Sequence, residues 1–301
     1  MIALRRIDHV RLRTADVAEA SARWAVQFGL VERDERSGDE PAGRGRRRLA
    51  CDDEPYCLEL APADPHVAYE LRRSCSLDDA RTHLDACDVA WEERDGGLLI
   101  HDPDGNRVLI LPYREPVSRL VPHARPASDQ IVGHPRKLGH VNFLTGAISE
   151  QVDFYTQVLG MAVSDWLGGD GVWFHINSDH HVMALIDKGY AHLHHLAFDV
   201  VDIGQMRAAL DHLGRHGRWL GWGPARHGVG GNIASYVRIV EEECFVELYC
   251  DMEQLEADHE PRHWPDDRFS SNTWGLLPPR SYFRFDDAAV ESERESLEML
   301  A

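Results

Sequence analysis

The sequence predicts an α+β fold built from a repeated strand, helix and three-strand unit, and three observations carry that prediction. The chain repeats itself; each repeat passes from a strand-like run to helical spacing and back; and a glycine stands where the first helix of each half must stop. Ile7-Asp-His9-Val-Arg-Leu sets against Leu138-Gly-His140-Val-Asn-Phe, each a short apolar run with histidine in third place. Apolar residues at helical spacing follow both. Nineteen residues past each histidine comes a helix-ending step, Phe28-Gly29-Leu30 or Leu159-Gly160-Met161. Glycine enters the left-handed conformation of a helix C-cap without a Cβ clash, so each step predicts a helix end and a new strand.

The second unit of each half shows the same order. His66-Val-Ala-Tyr-Glu-Leu matches His195-Leu-Ala-Phe-Asp-Val, and helical stretches follow over 77–86 and 205–216. Each half closes on a strand, Val108-Leu-Ile-Leu111 or Val246-Glu-Leu-Tyr249. The βαβββ module therefore occurs four times, two per half. One module presents a curved sheet, and two side by side close it around a cavity on which residues from both converge. Prolines 112, 116, 122, 126 and 135 mark a linker between the halves. The organisation predicted is an N-terminal domain over 1–113, a linker over 114–136, a C-terminal domain over 137–250 and a tail over 251–301, a candidate cover for the site.

Composition bounds the function. With 301 residues and 43% hydrophobic side chains, the chain can bury one large core or two moderate ones. Its net charge of −19 argues against binding phosphate backbones, which needs clustered positive charge. The basic run Arg44-Gly-Arg-Arg-Arg48 is read as a solvated loop. No run of about 18 apolar residues occurs, and the N-terminus lacks the apolar stretch of a secretory signal. The expectation is a cytoplasmic protein with small-molecule partners, no nucleic acid and no membrane. The six cysteines form no Cys-x-x-Cys pair and are read as reduced, mostly buried thiols.

Metal chemistry is the sharpest functional signal. His140, His195 and Glu247 lie in apolar strand-like segments, and two imidazoles with one carboxylate hold a divalent iron on one face while leaving the opposite positions open. Comparison of the halves chooses among neighbours: position 194 corresponds to Pro65, so only the histidine at 195 is shared. In an extended segment 194 and 195 point to opposite faces. Glu241, Glu242 and Glu243 read as a polar turn, whereas Glu247 stands within Cys244-Phe-Val-Glu-Leu-Tyr-Cys. A carboxylate there is costly unless a positive group meets it. The first half keeps His9 and His66 but has Leu109 where Glu247 would be, so it is read as structural.

These residues resemble the type I extradiol ring-cleaving dioxygenases of the vicinal oxygen chelate superfamily, and within them the homoprotocatechuate and catechol 2,3-dioxygenase-like branch. The resemblance spans about 5–250 and is most specific over 138–250. It implies the vicinal oxygen chelate (glyoxalase/bleomycin-resistance-like) fold, a homotetramer or other homo-oligomer, and Fe(II), less often Mn(II), on His140, His195 and Glu247. His181-Val-Met-Ala-Leu resembles the segment holding the family's acid/base histidine; His180, its neighbour, has the wrong spacing to the alanine. Arg226-His227-Gly-Val-Gly-Gly-Asn-Ile-Ala-Ser-Tyr236 resembles the segment whose histidine and tyrosine contact the bound catechol. Asn142 and Trp173 resemble substrate-pocket residues. Any one of 18 histidines is an ordinary residue by itself; the joint order and spacing carry the likeness.

Two departures matter. The Asp-Pro-x-Gly turn kept as Asp102-Pro-Asp-Gly105 in the first half is replaced before Glu247 by Glu241-Glu-Glu-Cys-Phe, one residue longer, which bears on strand register. An arginine pair used near the substrate carboxylate falls here on Ser270 and Ser271, against an acidic substrate side chain. The implied reaction opens a catechol with O2 beside its two hydroxyls to a muconic semialdehyde-type product, in aromatic catabolism, with His181 stabilising bound oxygen and then giving a proton. Two other classes compete: another metal enzyme of the superfamily, such as a glyoxalase, epimerase or thiol transferase, which often needs a fourth protein ligand; and a non-catalytic small-molecule binder, which needs no open triad.

Overall fold

Four βαβββ modules follow one another along the chain. The computed structural model describes residues 1–33, 45–51, 55–115 and 134–298. The first module comprises β1 (Leu4–Arg13), α1 (Val17–Phe28), β2 (Val31–Glu32), β3 (Arg47–Ala50) and β4 (Leu58–Ala61). The second comprises β5 (His66–Leu71), α2 (Leu77–Ala86), β6 (Glu92–Arg94), β7 (Gly97–His101) and β8 (Arg107–Leu111). In the third, β9 (Lys137–Thr145) leads to α3 (Ile148–Asp153), which runs on as a π-helical turn over Phe154–Val158, then to β10 (Ala162–Leu167), β11 (Gly171–His175) and β12 (Met183–Asp187). The fourth holds β13 (His192–Asp199), α4 (Ile203–Arg215), β14 (Leu220–Arg226), β15 (Ile233–Ile239) and β16 (Cys244–Cys250). The tail adds β17 (Arg262–Trp264), α5 (Arg268–Ser271), a 3-10 turn over Arg280–Phe283 and α6 (Asp287–Glu298).

Local chemistry sets the helix ends where the repeat predicts them. Asp16 caps α1 through its carboxylate, Ser76 and Asp79 form a reciprocal capping box on α2, and Asp202 caps α4. Gly29 and Gly160 both lie at φ 69°, the left-handed stop anticipated at each step.

Modules pair into two sheets of the same plan. The first runs β2-β3-β4-β1-β5-β8-β7-β6 and the second β14-β15-β16-β13-β9-β12-β11-β10-β17. At each centre the opening strands of two modules pair antiparallel, β1 with β5 and β9 with β13, and each also pairs parallel with its module's last strand. One apolar cluster runs from Ile2 to Cys250 and draws on both sheets, with Trp24, Phe28, Phe174 and Phe198 among its buried members. Arg23 and Glu242 join the halves through two hydrogen bonds of 3.0 and 2.7 Å, and Trp24 adds a third at 3.2 Å.

Two readings change. The basic run is not a solvated loop throughout: Arg47 and Arg48 lie in β3, and Arg48 binds the buried Glu59 at 2.8 Å while Arg46 binds Asp95 at 3.1 Å. Partners distant in sequence pull these cations onto the sheet; Arg44 lies outside the described residues. The extra residue before Glu247 leaves the register intact, because it is taken up in the turn where Glu243 sits at φ 54°. Ala197 faces Glu247 as Ala68 faces Leu109. Of the predicted linker over 114–136, residues 116–133 lie outside the described residues, while Arg114 contacts Asp8 and Glu70 of the first sheet. Among the described residues no helix is long and apolar enough to cross a membrane.

Candidate metal centre and adjoining cavity

His140 on β9, His195 on β13 and Glu247 on β16 come together on the concave face of the second sheet. The pairing explains it: His140 and Glu247 both face Ala197, and its small side chain leaves their longer ones room to meet. The Nε2 atoms of both histidines lie 3.1 Å from the same Glu247 oxygen, and the three ligand atoms fall within 4.8 Å of one another. All three residues are buried. Burial raises the Glu247 pKa, but the neighbouring His140 and His195 outweigh it and hold the carboxyl well below its usual range.

Hydrogen bonds orient the set. Asn232 donates to the other Glu247 oxygen at 3.0 Å. His194 Nε2 lies 3.0 Å from the Tyr282 carbonyl, which only accepts, so that nitrogen carries the hydrogen in a neutral ring. His194 Nδ1 is then bare and accepts from His195 Nδ1 at 2.8 Å, which leaves the His195 Nε2 lone pair aimed at the centre. The expectation that 194 and 195 face opposite ways fails for a local reason. A β-bulge between Leu193 and His195 makes His194 the extra residue and brings the two rings side by side, centroids 5.0 Å apart.

A cavity of about 320 Å³ opens on these ligands, at the low end of the roughly 300–1,000 Å³ usual for ligand sites. His181, His227, Tyr236, Asn142 and Trp173 all line it. His181 lies against His140, ring centroids 4.2 Å apart, and burial holds its pKa well below 6.5, with His140 and His180 adding to the effect. His180 does not line the cavity; its ring lies behind His181. His227 Nδ1 donates to the Ser271 carbonyl at 2.7 Å, so its Nε2 accepts the Tyr236 hydroxyl hydrogen at 2.7 Å. Tyr236 stacks on Trp222 and faces Glu247 across β15 and β16; burial and that carboxylate raise its pKa well above 10.

Sequence reasoning missed Asn232, Trp222 and Tyr282. Asn232 lies within the quoted 226–236 segment, four residues before Tyr236, but nothing in the spacing marks it. From the tail, Ser270, Ser271, Leu277, Pro278, Tyr282 and Phe283 also line the cavity. Lys188 is the only lysine or arginine among the described lining residues, and it pairs with Asp170 at 3.0 Å.

The first sheet shows what replaces such a site. Strand register equates His140 with His9, Glu247 with Leu109, Asn142 with Arg11, Ala184 with Glu59, Trp173 with Arg48 and Tyr236 with Leu99. Where the second sheet has an amide, a methyl group and an indole around open space, the first has Glu59 bound by both Arg11 and Arg48. His9 Nε2 and His66 Nε2 meet at 3.2 Å, but the Asp8 carboxylate lies on the other ring nitrogen of His9 at 2.7 Å, and among the described residues only His140, His195 and Glu247 form a metal-holding group.

Comparison with known proteins agrees with this architecture. Residues 137–240 match the model of the glyoxalase/bleomycin resistance protein/dioxygenase superfamily. Metapyrocatechase 2 of Cupriavidus necator is 28% identical, covering 95% of this chain and 93% of its own. Homoprotocatechuate 2,3-dioxygenase of Arthrobacter globiformis shares the fold with a TM-score of 0.79 at 20% identity, covering 94% of this chain and 91% of that one. A Mn(II)-bound glyoxalase of Novosphingobium aromaticivorans shares it with a TM-score of 0.75 at 23% identity, covering 94% of both chains. The chain thus shares its fold with these proteins, resembles the glyoxalase/bleomycin resistance protein/dioxygenase superfamily over residues 137–240, and is similar over nearly its whole length to a metapyrocatechase.

Proposed function

We propose that this protein is an extradiol dioxygenase that opens a catechol-type ring with O2, with Fe(II) held by His140, His195 and Glu247. One observation carries the reading: two imidazole nitrogens converge on one buried carboxylate oxygen at 3.1 Å, at the floor of a cavity that also holds His181 and the His227–Tyr236 pair. The donor set fits the group, since a buried carboxylate between two imidazoles is the facial arrangement of non-haem iron, and Mn(II) accepts the same ligands. Bound there, the metal supplies adjacent open positions and the electron flow that lets a catechol react with O2.

The chain's own residues supply the rest. Tyr236 already donates to His227, so its oxygen can take a proton from a ring hydroxyl as its own hydrogen passes to His227 Nε2. His181, whose ring lies against His140 on the cavity wall, holds a proton and returns it to the substrate. Asn142 and Trp173 bound the space for the ring, and the tail residues wall it from water. With Lys188 engaged by Asp170, and Ser270 and Ser271 at the wall, the described lining residues offer no unengaged lysine or arginine to a substrate carboxylate. A neutral ring substituent fits best.

A glyoxalase-type isomerase is the second reading, favoured by the Mn(II)-bound neighbour; it would hold its metal with a further ligand beside the trio and would not need Tyr236 and His227 as a proton pair. We place the protein in the cytoplasm, consistent with six cysteines that form no disulfide, and the family resemblance suggests a homo-oligomer. The test is anaerobic loading with Fe(II), followed by substituted catechols in air. A yellow ring-fission product with oxygen uptake is expected; metal binding without oxygen uptake across a broad catechol panel would sink the proposal.

A further inference from the structure

Behind His181, on the side away from the cavity, a line of buried side chains ends on a carboxylate. His181 Nδ1 lies 3.0 Å from His180 Nδ1, and His180 Nε2 lies 3.0 Å from Asp165 Oδ2. Both histidines are buried, and the Asp165 side chain is fully so. Asp165 sits on β10 opposite Arg262 of β17, and that tail strand ties it down. Arg262 donates to it from its backbone at 3.0 Å and from its guanidinium at 2.9 and 2.8 Å, and Trp264 Nε1 donates at 2.8 Å. Burial raises the Asp165 pKa, but the hydrogen bonds from His180, Arg262 and Trp264 prevail and keep the group ionised.

An ionised carboxylate only accepts, so His180 Nε2 carries a hydrogen. With its hydrogen there, a neutral His180 presents a bare Nδ1. Only one hydrogen fits between two Nδ1 atoms 3.0 Å apart, and it must then belong to His181. The lone pair of a neutral His181 is thereby left on Nε2. The same logic runs in the ligand pair, where the Tyr282 carbonyl fixes His194 and His194 fixes His195. Two adjacent-histidine pairs thus use one device, the first histidine of each setting which nitrogen of the second is bare.

We propose that Asp165 and His180 are positioning residues that lock His181 in the Nδ1–H tautomer, so that its bare Nε2 is the atom offered for proton transfer. The inference rests on the role given to His181 above, but its direct readout does not depend on turnover. Either nitrogen of a neutral imidazole can carry the hydrogen, and the energy difference in water is small; a ring held by one charged relay loses that choice. His180 shares no spacing with any other site motif, which is why it reads from the sequence only as the misplaced neighbour of His181.

The direct test is the nitrogen-15 NMR signature of the histidine rings in the metal-free full-length chain, with His181 assigned by comparison with His181→Gln. The Nδ1–H pattern is expected for His181; an Nε2–H pattern overturns the proposal. The second test separates tautomer control from packing. Asn at 180 places its amide oxygen where His180 Nδ1 lies but cannot reach Asp165, whereas Leu offers no acceptor. In the iron-loaded enzyme, His180→Leu should lower kcat roughly 100-fold, within the usual reach of a proton-transfer group, with KM for catechol and iron content unchanged. His180→Asn should restore most of that loss. Equal loss in both variants overturns the proposal, because packing would then be the whole role of His180. Loss of all ring-opening activity in the wild type would instead refute the dioxygenase reading, and the NMR result would still judge the tautomer.

Discussion

Asn232 donates its amide hydrogen at 3.0 Å to the Glu247 oxygen that the two histidines leave unused. Both residues are buried, so this contact is not exchanged for water, and it sets the carboxylate plane that brings the other oxygen to His140 and His195. Groups that orient a ligand in this way typically contribute 10–100-fold to metal affinity. Asn232→Ala is expected to weaken Fe(II) binding by about that factor, measured by competition with a chelator.

Removing the carboxylate itself should be more severe. Glu247→Ala is expected to lose its metal, while His9→Ala and His66→Ala keep one metal per chain, all read by elemental analysis after anaerobic loading. Full iron occupancy in Glu247→Ala would show that the ligands have been misassigned.

Tyr236→Phe removes the hydroxyl that joins the cavity to His227 Nε2 while keeping the ring on Trp222. A fall in kcat of roughly 100-fold is expected, with the fold and metal content unchanged. Steady-state oxygen uptake on catechol checks it, and an unchanged rate would remove Tyr236 from the proton path.

Acid should act on the first sheet through His9 and His66, whose pKa values burial lowers from 6.5 to about 3 and about 2. Both stay neutral when folded but take up protons near pH 6.5 when unfolded. Their contribution to stability is therefore full above pH 6.5 and shrinks as pH falls toward 3, by about 1.4 kcal/mol per pH unit for each ring. His66→Gln should show a shallower loss of stability between pH 6.5 and 3 than the wild type in urea titrations of the metal-free protein. Parallel slopes would contradict this account.

The halves should separate more easily without the Arg23–Glu242 pair. Its carboxylate is buried and takes hydrogen bonds from Arg23 and Trp24, so Glu242→Ala leaves a guanidinium without its main partner. A loss of about 3–5 kcal/mol is expected, seen as a lower urea midpoint.

What the sequence disclosed and what it hid follow one physical rule. The modules were legible because periodicity and glycine stops are local, and Gly29 and Gly160 do stand at the helix ends. The convergence of His140, His195 and Glu247 was legible because a carboxylate at 247 inside an apolar strand demands a partner. Side chains whose meaning lies in a distant partner were opaque: Arg48 reads as a solvated cation until Glu59 is beside it, and Glu242 as part of a polar turn until Arg23 is. The same holds for His194, whose direction depends on a bulge set by pairing with β9, and for Tyr282, which reaches the centre through a backbone oxygen that no side-chain pattern encodes.

The walls of the cavity have two origins. His140, His181, His195, His227, Tyr236 and Glu247 come from modules three and four, while Leu277, Pro278, Tyr282 and Phe283 come from the segment after them. The closing segment does more than shape the space: the carbonyls of Ser271 and Tyr282 fix which nitrogen His227 and His194 leave bare. Exchanging that stretch of chain would therefore alter the proton inventory of the centre together with the outline of the pocket.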